Sequence, residues 1–269
     1  MEKLIKAGRI FYSVMITCLG AQQLFYADFR PVIFPPWSAA IPGAAFFAYL
    51  ASAVLILAGL AIIFEKRARE VSLYLGGLFL LLLFLAQVPF ELIADPYSNH
   101  LGVWSNALKE LMLAGGAFAV AGSFPVNEVI ANQKPVLIKL LEKLIPFGGV
   151  FVSVTLILFG IDHFLYVEFV SKLVPTWISG QLFWTYFAGV ALIGSGVGII
   201  LKIKLKLVAI LLGVMVFLWL IMLHIPRAIA DPYGDKGNEV TSVFEALGFS
   251  GIAFVIAGGY NKRKGDNKG

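Results

Sequence analysis

The sequence predicts an all-α integral membrane protein: eight transmembrane helices as two parallel tandem four-helix units, with both termini cytoplasmic. Three observations lead there. Apolar and aromatic residues make up 59% of the 269, charged residues only 14%, and mean hydropathy is +0.88; soluble domains average about 45–50% and about 25%. Eight stretches have the roughly 20 mostly apolar residues that cross a hydrocarbon core. The two halves of the chain also resemble each other. Runs such as Leu78 to Leu85 do not alternate, which excludes the short alternating strands of a membrane barrel.

Charge clusters and prolines set the boundaries. The first span, 9–27, follows Lys3, Lys6 and Arg9 and stops before Asp28 and Arg30. That start imitates a signal peptide, but the repeat argues that the span is retained. The second, 43–64, is closed by Glu65, Lys66, Arg67 and Arg69, and the third, 71–91, runs toward Asp95 and Pro96. The fourth, 105–123, precedes a linker at 124–144 containing Asn127, Glu128, Asn132, Gln133, Lys134 and Pro135. The later part of that linker, VLIKLLEKLIPF, interleaves Lys139, Glu142 and Lys143 with apolar positions at helical spacing, the pattern of a short interfacial helix. The fifth span is 145–166; the sixth, 182–201, lies between Pro175 with Trp177 and the Lys202, Lys204, Lys206 cluster. The seventh, 206–226, leads to Arg227 and Asp231, and the eighth, 241–260, ends before a basic tail with Lys262, Arg263 and Lys264. Cys18, the only cysteine, excludes an internal disulfide and a cysteine metal cluster.

Sixteen Lys and Arg and six acidic residues fall on one side of this arrangement, leaving +10; five basic and ten acidic residues fall on the other, leaving −5. Cytoplasmic loops retain positive charge, so the termini are expected inside a cell membrane, of the bacterial inner type, in a multi-pass protein. The net +5 records orientation and attraction to the lipid bilayer, not a nucleic-acid stripe.

Residues 20–37, GAQQLFYADFRPVIFPPW, lie over 160–177, GIDHFLYVEFVSKLVPTW, at a constant offset. Val88-Pro89 matches Ile225-Pro226, and ADPY recurs at 94–97 and 230–233. The chain therefore divides into two membrane units, 1–123 and 145–269, joined by 124–144. An even number of spans per unit makes the repeats parallel.

A unit whose first helix begins near Arg9 and ends in Gly-x-x-polar-apolar, as at Gly20–Leu24 and Gly160–Phe164, resembles the DoxX-like membrane family. That resemblance implies small four-helix membrane units, several associated with respiratory or sulfur redox systems such as thiosulfate:quinone oxidoreductase. Where that family often has Lys after Gly-x-x, this chain has Gln23 and His163.

Ionisable side chains within spans default to a functional-site reading, and in both halves they gather in the outer third. The expected catalytic set is His163, His224, Glu245, Asp231 and Asp162, with Arg227, Tyr166, Trp184, Tyr186 and Tyr233 binding substrate. The first-half counterparts are Gln23, Gln87, Asp95, Tyr97 and Glu110. Imidazole carries protons near neutral pH whereas an amide only hydrogen-bonds, so chemistry is expected in the second half. Glu245 at that depth needs a cation, and Arg227 is the expected partner; Lys109 is expected to point elsewhere. ADPY reads equally as a helix stop, the histidines as interhelical glue, and Gly59, Gly115, Gly116, Gly194, Gly196 and Gly198 as close-packing positions. No metal is expected, since no tight ligand spacing is present.

Three classes of function remain. One is a redox protein that binds quinone and takes electrons from a partner protein, as no CxxC, haem or nucleotide motif is present. The second is binding or transport of a lipid or small amphiphile in a cleft between the units. The third is membrane-embedded acid-base chemistry, such as isomerisation or cyclisation, on an apolar small molecule.

Overall fold

The computed structural model describes residues 1–37, 42–125 and 135–265, with side chains as far as Gly259. The linker residues Asn127, Glu128, Asn132, Gln133 and Lys134 and the tail beyond Gly265 lie outside the described residues. Among those described there is no strand. The helices are α1 (Glu2–Tyr26), α2 (Ala44–Ile63), α3 (Ala68–Leu82), α4 (Ser105–Ser123), α5 (Val136–Glu142), α6 (Gly148–Leu165), α7 (Val167–Leu173), α8 (Gln181–Ile200), α9 (Leu205–Trp219), α10 (Ile225–Ala230) and α11 (Asn238–Gly265).

Among the described residues, seven helical runs are long and apolar enough to cross a membrane: Glu2–Tyr26, Ala44–Ile63, Ala68–Ala94, Val136–Leu165, Gln181–Ile200, Leu205–Ala230 and Gly234–Gly259. The fourth expected span, α4, is not among them. Ser105, Asn106, Lys109 and Glu110 open it and small residues dilute the rest, yet Met112 to Phe118 are all buried against neighbouring helices.

The third and seventh spans depart from plain α-helix. Wide π turns occupy Leu83–Gln87 and Phe90–Ala94 after α3, and Leu220–His224 after α9. Pro89 and Pro226 explain the matching pair at 83–87 and 220–224. Proline lacks an N–H and its ring clashes with the carbonyl four residues earlier, here Leu85 and Met222. A single wide turn re-spaces those carbonyls. Gln87 and His224 are the last residues of these two turns.

The long helices close into a ring in which α4 and α11 also touch across the middle. Close glycine contacts set its joints. A Cβ on Gly20 would strike Ser52 and Ile56, and one on Gly160 would strike Gly189 and Ile193. Gly76 faces Phe118 and Gly213 faces Phe254; Gly8 faces Gly251 as Gly148 faces Gly115. Gly160 makes a contact of the same kind as Gly20, Gly213 as Gly76 and Gly148 as Gly8. Helix α1 therefore joins α11 and α6 joins α4, and where a cleft between two separate bundles is expected α4 packs directly on α11, with Gly116 against Ile252.

Gly258 packs against Ile5, so the start of α1 and the end of α11 lie at the same end of the ring. Arg9 closes that end: it donates to Ser123 Oγ at 2.8 Å and to the Ser123 carbonyl, and lies 3.7 Å over Phe124. Arg69 donates to the Ala121 carbonyl at 2.9 Å and pairs with Glu142 at 3.0 Å, holding α5 against α3 and α4. Ile138 and Leu141 of α5 are buried while Val136, Leu137 and Leu140 are exposed, an amphipathic division at the place expected for the interfacial helix.

Candidate functional site

A cavity of about 920 Å³ lies in the second half, walled by α6, α8, α9 and α11 with Lys109 and Met112 of α4. Its shape follows from residue size. Ala188, Ala191 and Ser195 give α8 a wall without bulk. At Gly198 a Cβ would lie 3.3 Å from Val208, whereas at Gly194, one turn away, it would meet nothing within 4 Å. The two helices thus meet beside their connecting turn and diverge from it. On α9 and the wide turn the lining runs from Val208 to His224, about 24 Å at 1.5 Å per residue. Leu211, Val214, Leu218, Trp184 and Phe187 both line the cavity and are exposed, so it opens sideways between α8 and α9.

The ionisable residues of the lining gather in one cluster, carried at the far ends of α6 and the wide turn and near the starts of α4 and α11. His163 Nδ1 lies 2.7 Å from the Phe159 carbonyl. A carbonyl only accepts, so Nδ1 bears the hydrogen and Nε2 of the neutral ring is an acceptor. Among the described residues, Asp162 Oδ1 and His224 Nδ1 are buried with no hydrogen-bond partner. Lys109 Nζ meets Glu245 Oε2 at 2.7 Å.

Of the expected site residues, Asp162, His163, Trp184, His224 and Glu245 line this cavity, and the others lie elsewhere. Arg227 pairs with Glu239, its Nε at 2.8 Å, which corrects the expected Arg227–Glu245 pair. The expected pair fails because Lys109 of α4 takes Glu245 while Glu239, nearer the start of α11, takes Arg227. Asp231 accepts from the Gly234 N–H at 2.9 Å and Asp95 from the Tyr97 N–H at 2.7 Å, with Tyr233 and Tyr97 exposed. ADPY forms a turn in both halves. Tyr166 stacks on His100 at 4.1 Å and its hydroxyl accepts from the Leu101 N–H at 2.9 Å, while exposed Tyr186 packs on Phe164. Among the described residues no group of three or more His, Cys, Asp or Glu is placed to hold a metal ion.

The corresponding interior of the first half is filled. The loop after α1 drives Arg30, Val32 and Ile33 inward until all are buried. Gln23 Oε1 accepts from the Arg30 N–H at 3.1 Å, and Gln87 Nε2 donates to the Pro31 carbonyl at 2.6 Å. Arg30 donates to the Lys236 carbonyl at 2.6 Å. Burial pushes its guanidinium below the ordinary value, opposed by Tyr26, Glu245 and Asp28. What remains is a cleft of about 480 Å³ among Phe34, Trp37, Phe47 and Leu82. Glu110 is fully buried with neither carboxyl oxygen hydrogen-bonded. In the fourth-helix register, where Gly251 matches Gly115 and Phe254 matches Phe118, Glu245 matches Lys109 and not Glu110, whose match is Ala246.

Two contributors escape sequence reasoning. Lys109 reads as an outer charge pointing elsewhere, and Arg30 as a loop charge; a cation placed early in a buried helix is the available signal for the first. No family model, no curated protein and no solved structure matches the chain.

Proposed function

We propose that this chain is a duplicated, DoxX-like membrane protein that takes a quinone-class molecule from the bilayer into its second half and exchanges protons with the polar head. One observation carries the reading: Asp162 and His224, which line one long apolar cavity that opens toward lipid, each hold a buried polar atom with no hydrogen-bond partner among the described residues. A buried polar atom left unmade costs about 1–3 kcal/mol, so these atoms mark where a bound molecule supplies hydrogen bonds. Volumes of about 300–1,000 Å³ hold small ligands. The apolar length between α8 and α9 suits a hydrocarbon tail.

The cluster disfavours an anionic lipid head, because Lys109, the cation that lines the cavity, is already neutralised by Glu245. A neutral hydrogen-bonding head fits better. When bound, a quinone supplies coupled electron and proton transfer. The chain's part is to exclude water along the apolar walls, to accept a proton at His163 Nε2 and to offer Asp162 as a second acceptor beside it. Electrons come from a partner protein.

The duplication is supported by glycine contacts that recur between matching residues of the two halves and by the matching wide turns. The cytoplasmic placement of both termini is supported by the +10 and −5 faces and by the chain's two ends meeting at one end of the ring. In this reading α4 is the eighth crossing, shielded from lipid by its neighbours.

Mass analysis of molecules extracted from the detergent-purified protein tests the proposal. Quinone is expected with the unaltered chain and is lost in Gly194→Trp, which fills open space at the cavity mouth and leaves the melting temperature unchanged. Phospholipid in place of quinone overturns it.

A further inference from the structure

The two halves differ in what lies between two residues that occupy matching places. In the first half, one short stretch of backbone answers both: the Arg30 N–H donates to Gln23 Oε1 and the Pro31 carbonyl accepts from Gln87 Nε2. Gln23 stands on α1 and Gln87 ends a wide π turn. In the second half His163 stands on α6 where the repeat aligns it with Gln23, and His224 ends the turn equivalent to that of Gln87. There the backbone plug is absent. Val170, which matches Arg30 in sequence, lines the cavity, and among the described residues none bridges the two imidazoles.

We infer that His163 and His224 hold the polar head of the bound molecule as Gln23 and Gln87 hold the Arg30–Pro31 backbone, His163 accepting a hydrogen bond through Nε2 and His224 donating one. The inference rests on the cavity being a binding site and adds what the site recognises. Nε2 of His163 is the free acceptor because Nδ1 is committed to the Phe159 carbonyl. The first-half donor and acceptor are separated by two residues of backbone, at most about 7 Å. A head that presents a hydroxyl donor and an oxygen acceptor on opposite edges of one ring, the arrangement of a quinol, falls within that reach.

The fluorescence of Trp184 and Trp219, which both line the cavity, provides a binding readout independent of turnover. The full chain is titrated with a short-tailed quinol and with its dimethyl ether, which keeps ring and tail but has no hydroxyl donor. The quinol is expected to bind about tenfold more tightly, the factor one ordinary hydrogen bond supplies. His163→Leu is expected to erase that preference and His163→Gln to retain it, since Gln23 shows that an amide oxygen at this place accepts. His224→Leu weakens both probes and His224→Gln recovers them. Equal binding of quinol and ether by the unaltered chain, or a preference that survives in His163→Leu, overturns the inference while leaving the cavity a binding site. Failure of both probes to quench overturns the inference and the functional proposal together.

Discussion

The charge pair that crosses the middle of the ring shows how one residue's role depends on the opposite half. Lys109 and Glu245 are 2.7 Å apart, with the Glu245 side chain only 5% exposed. Removing one member of such a pair leaves the other charge buried and is expected to destabilise by about 3 kcal/mol. Lys109→Met and Glu245→Gln should each show that loss in denaturant unfolding, and the swap Lys109→Glu with Glu245→Lys should recover most of it. Full additivity of the two swapped singles would show that the pair does not interact. Glu110 behaves oppositely. It is buried with no hydrogen-bond partner among the described residues, so Glu110→Leu is expected to raise the melting temperature; a lower one would mean that the carboxyl has a partner in the membrane. The expense of ionisable groups among lipid makes Glu245, His163 and His224 legible in the sequence. Their partners are not, because pairing between halves so distant along the chain leaves no local trace. Arg227 is misassigned because spacing along its own helix does not say which carboxylate of α11, Glu239 or Glu245, it meets.

At the scale of elements, boundaries drawn at charges and prolines fall close to the observed helices: 43–64 against Ala44–Ile63, and 182–201 against Gln181–Ile200. Hydropathy also leads through 71–91 and 206–226 without showing that each contains a wide turn, since one extra residue per turn leaves composition unchanged. Proline is the physical signal. A π turn is an α-helix with one residue too many for its hydrogen-bond ladder, which makes it the one place where a residue can be removed without rotating the rest of the helix by about 100°. Deleting Ile221, which is exposed within the turn, is expected to leave a folded protein. Deleting Val214, within α9, is expected to abolish folding. Equal damage from the two deletions, measured by fluorescence-detected size exclusion, would deny the turn this role.

The whole molecule is a ring whose halves are interlocked by exchange of first helices. Gly8 of α1 sits against Gly251 of α11, and Gly148 of α6 against Gly115 of α4. Neither half, made alone, covers these faces. Two contacts across the centre, Lys109 with Glu245 and Gly116 with Ile252, each join residues that match in the repeat. Matching residues that touch lie on a two-fold axis, where a symmetric dimer places each residue against its own copy. A dimer of first halves would set Lys109 against Lys109, and a dimer of second halves Glu245 against Glu245. Like charges at a buried contact exclude both, while the mixed pair gains an ion pair. Fragments 1–134 and 135–269, produced separately, are therefore expected to degrade or aggregate, and produced together to co-purify as one complex of one copy each. Lys109→Glu in the first fragment should abolish that assembly and Glu245→Lys in the second should restore it. Stable assemblies of either unaltered fragment with itself would show that the charge asymmetry at the axis does not select the pairing.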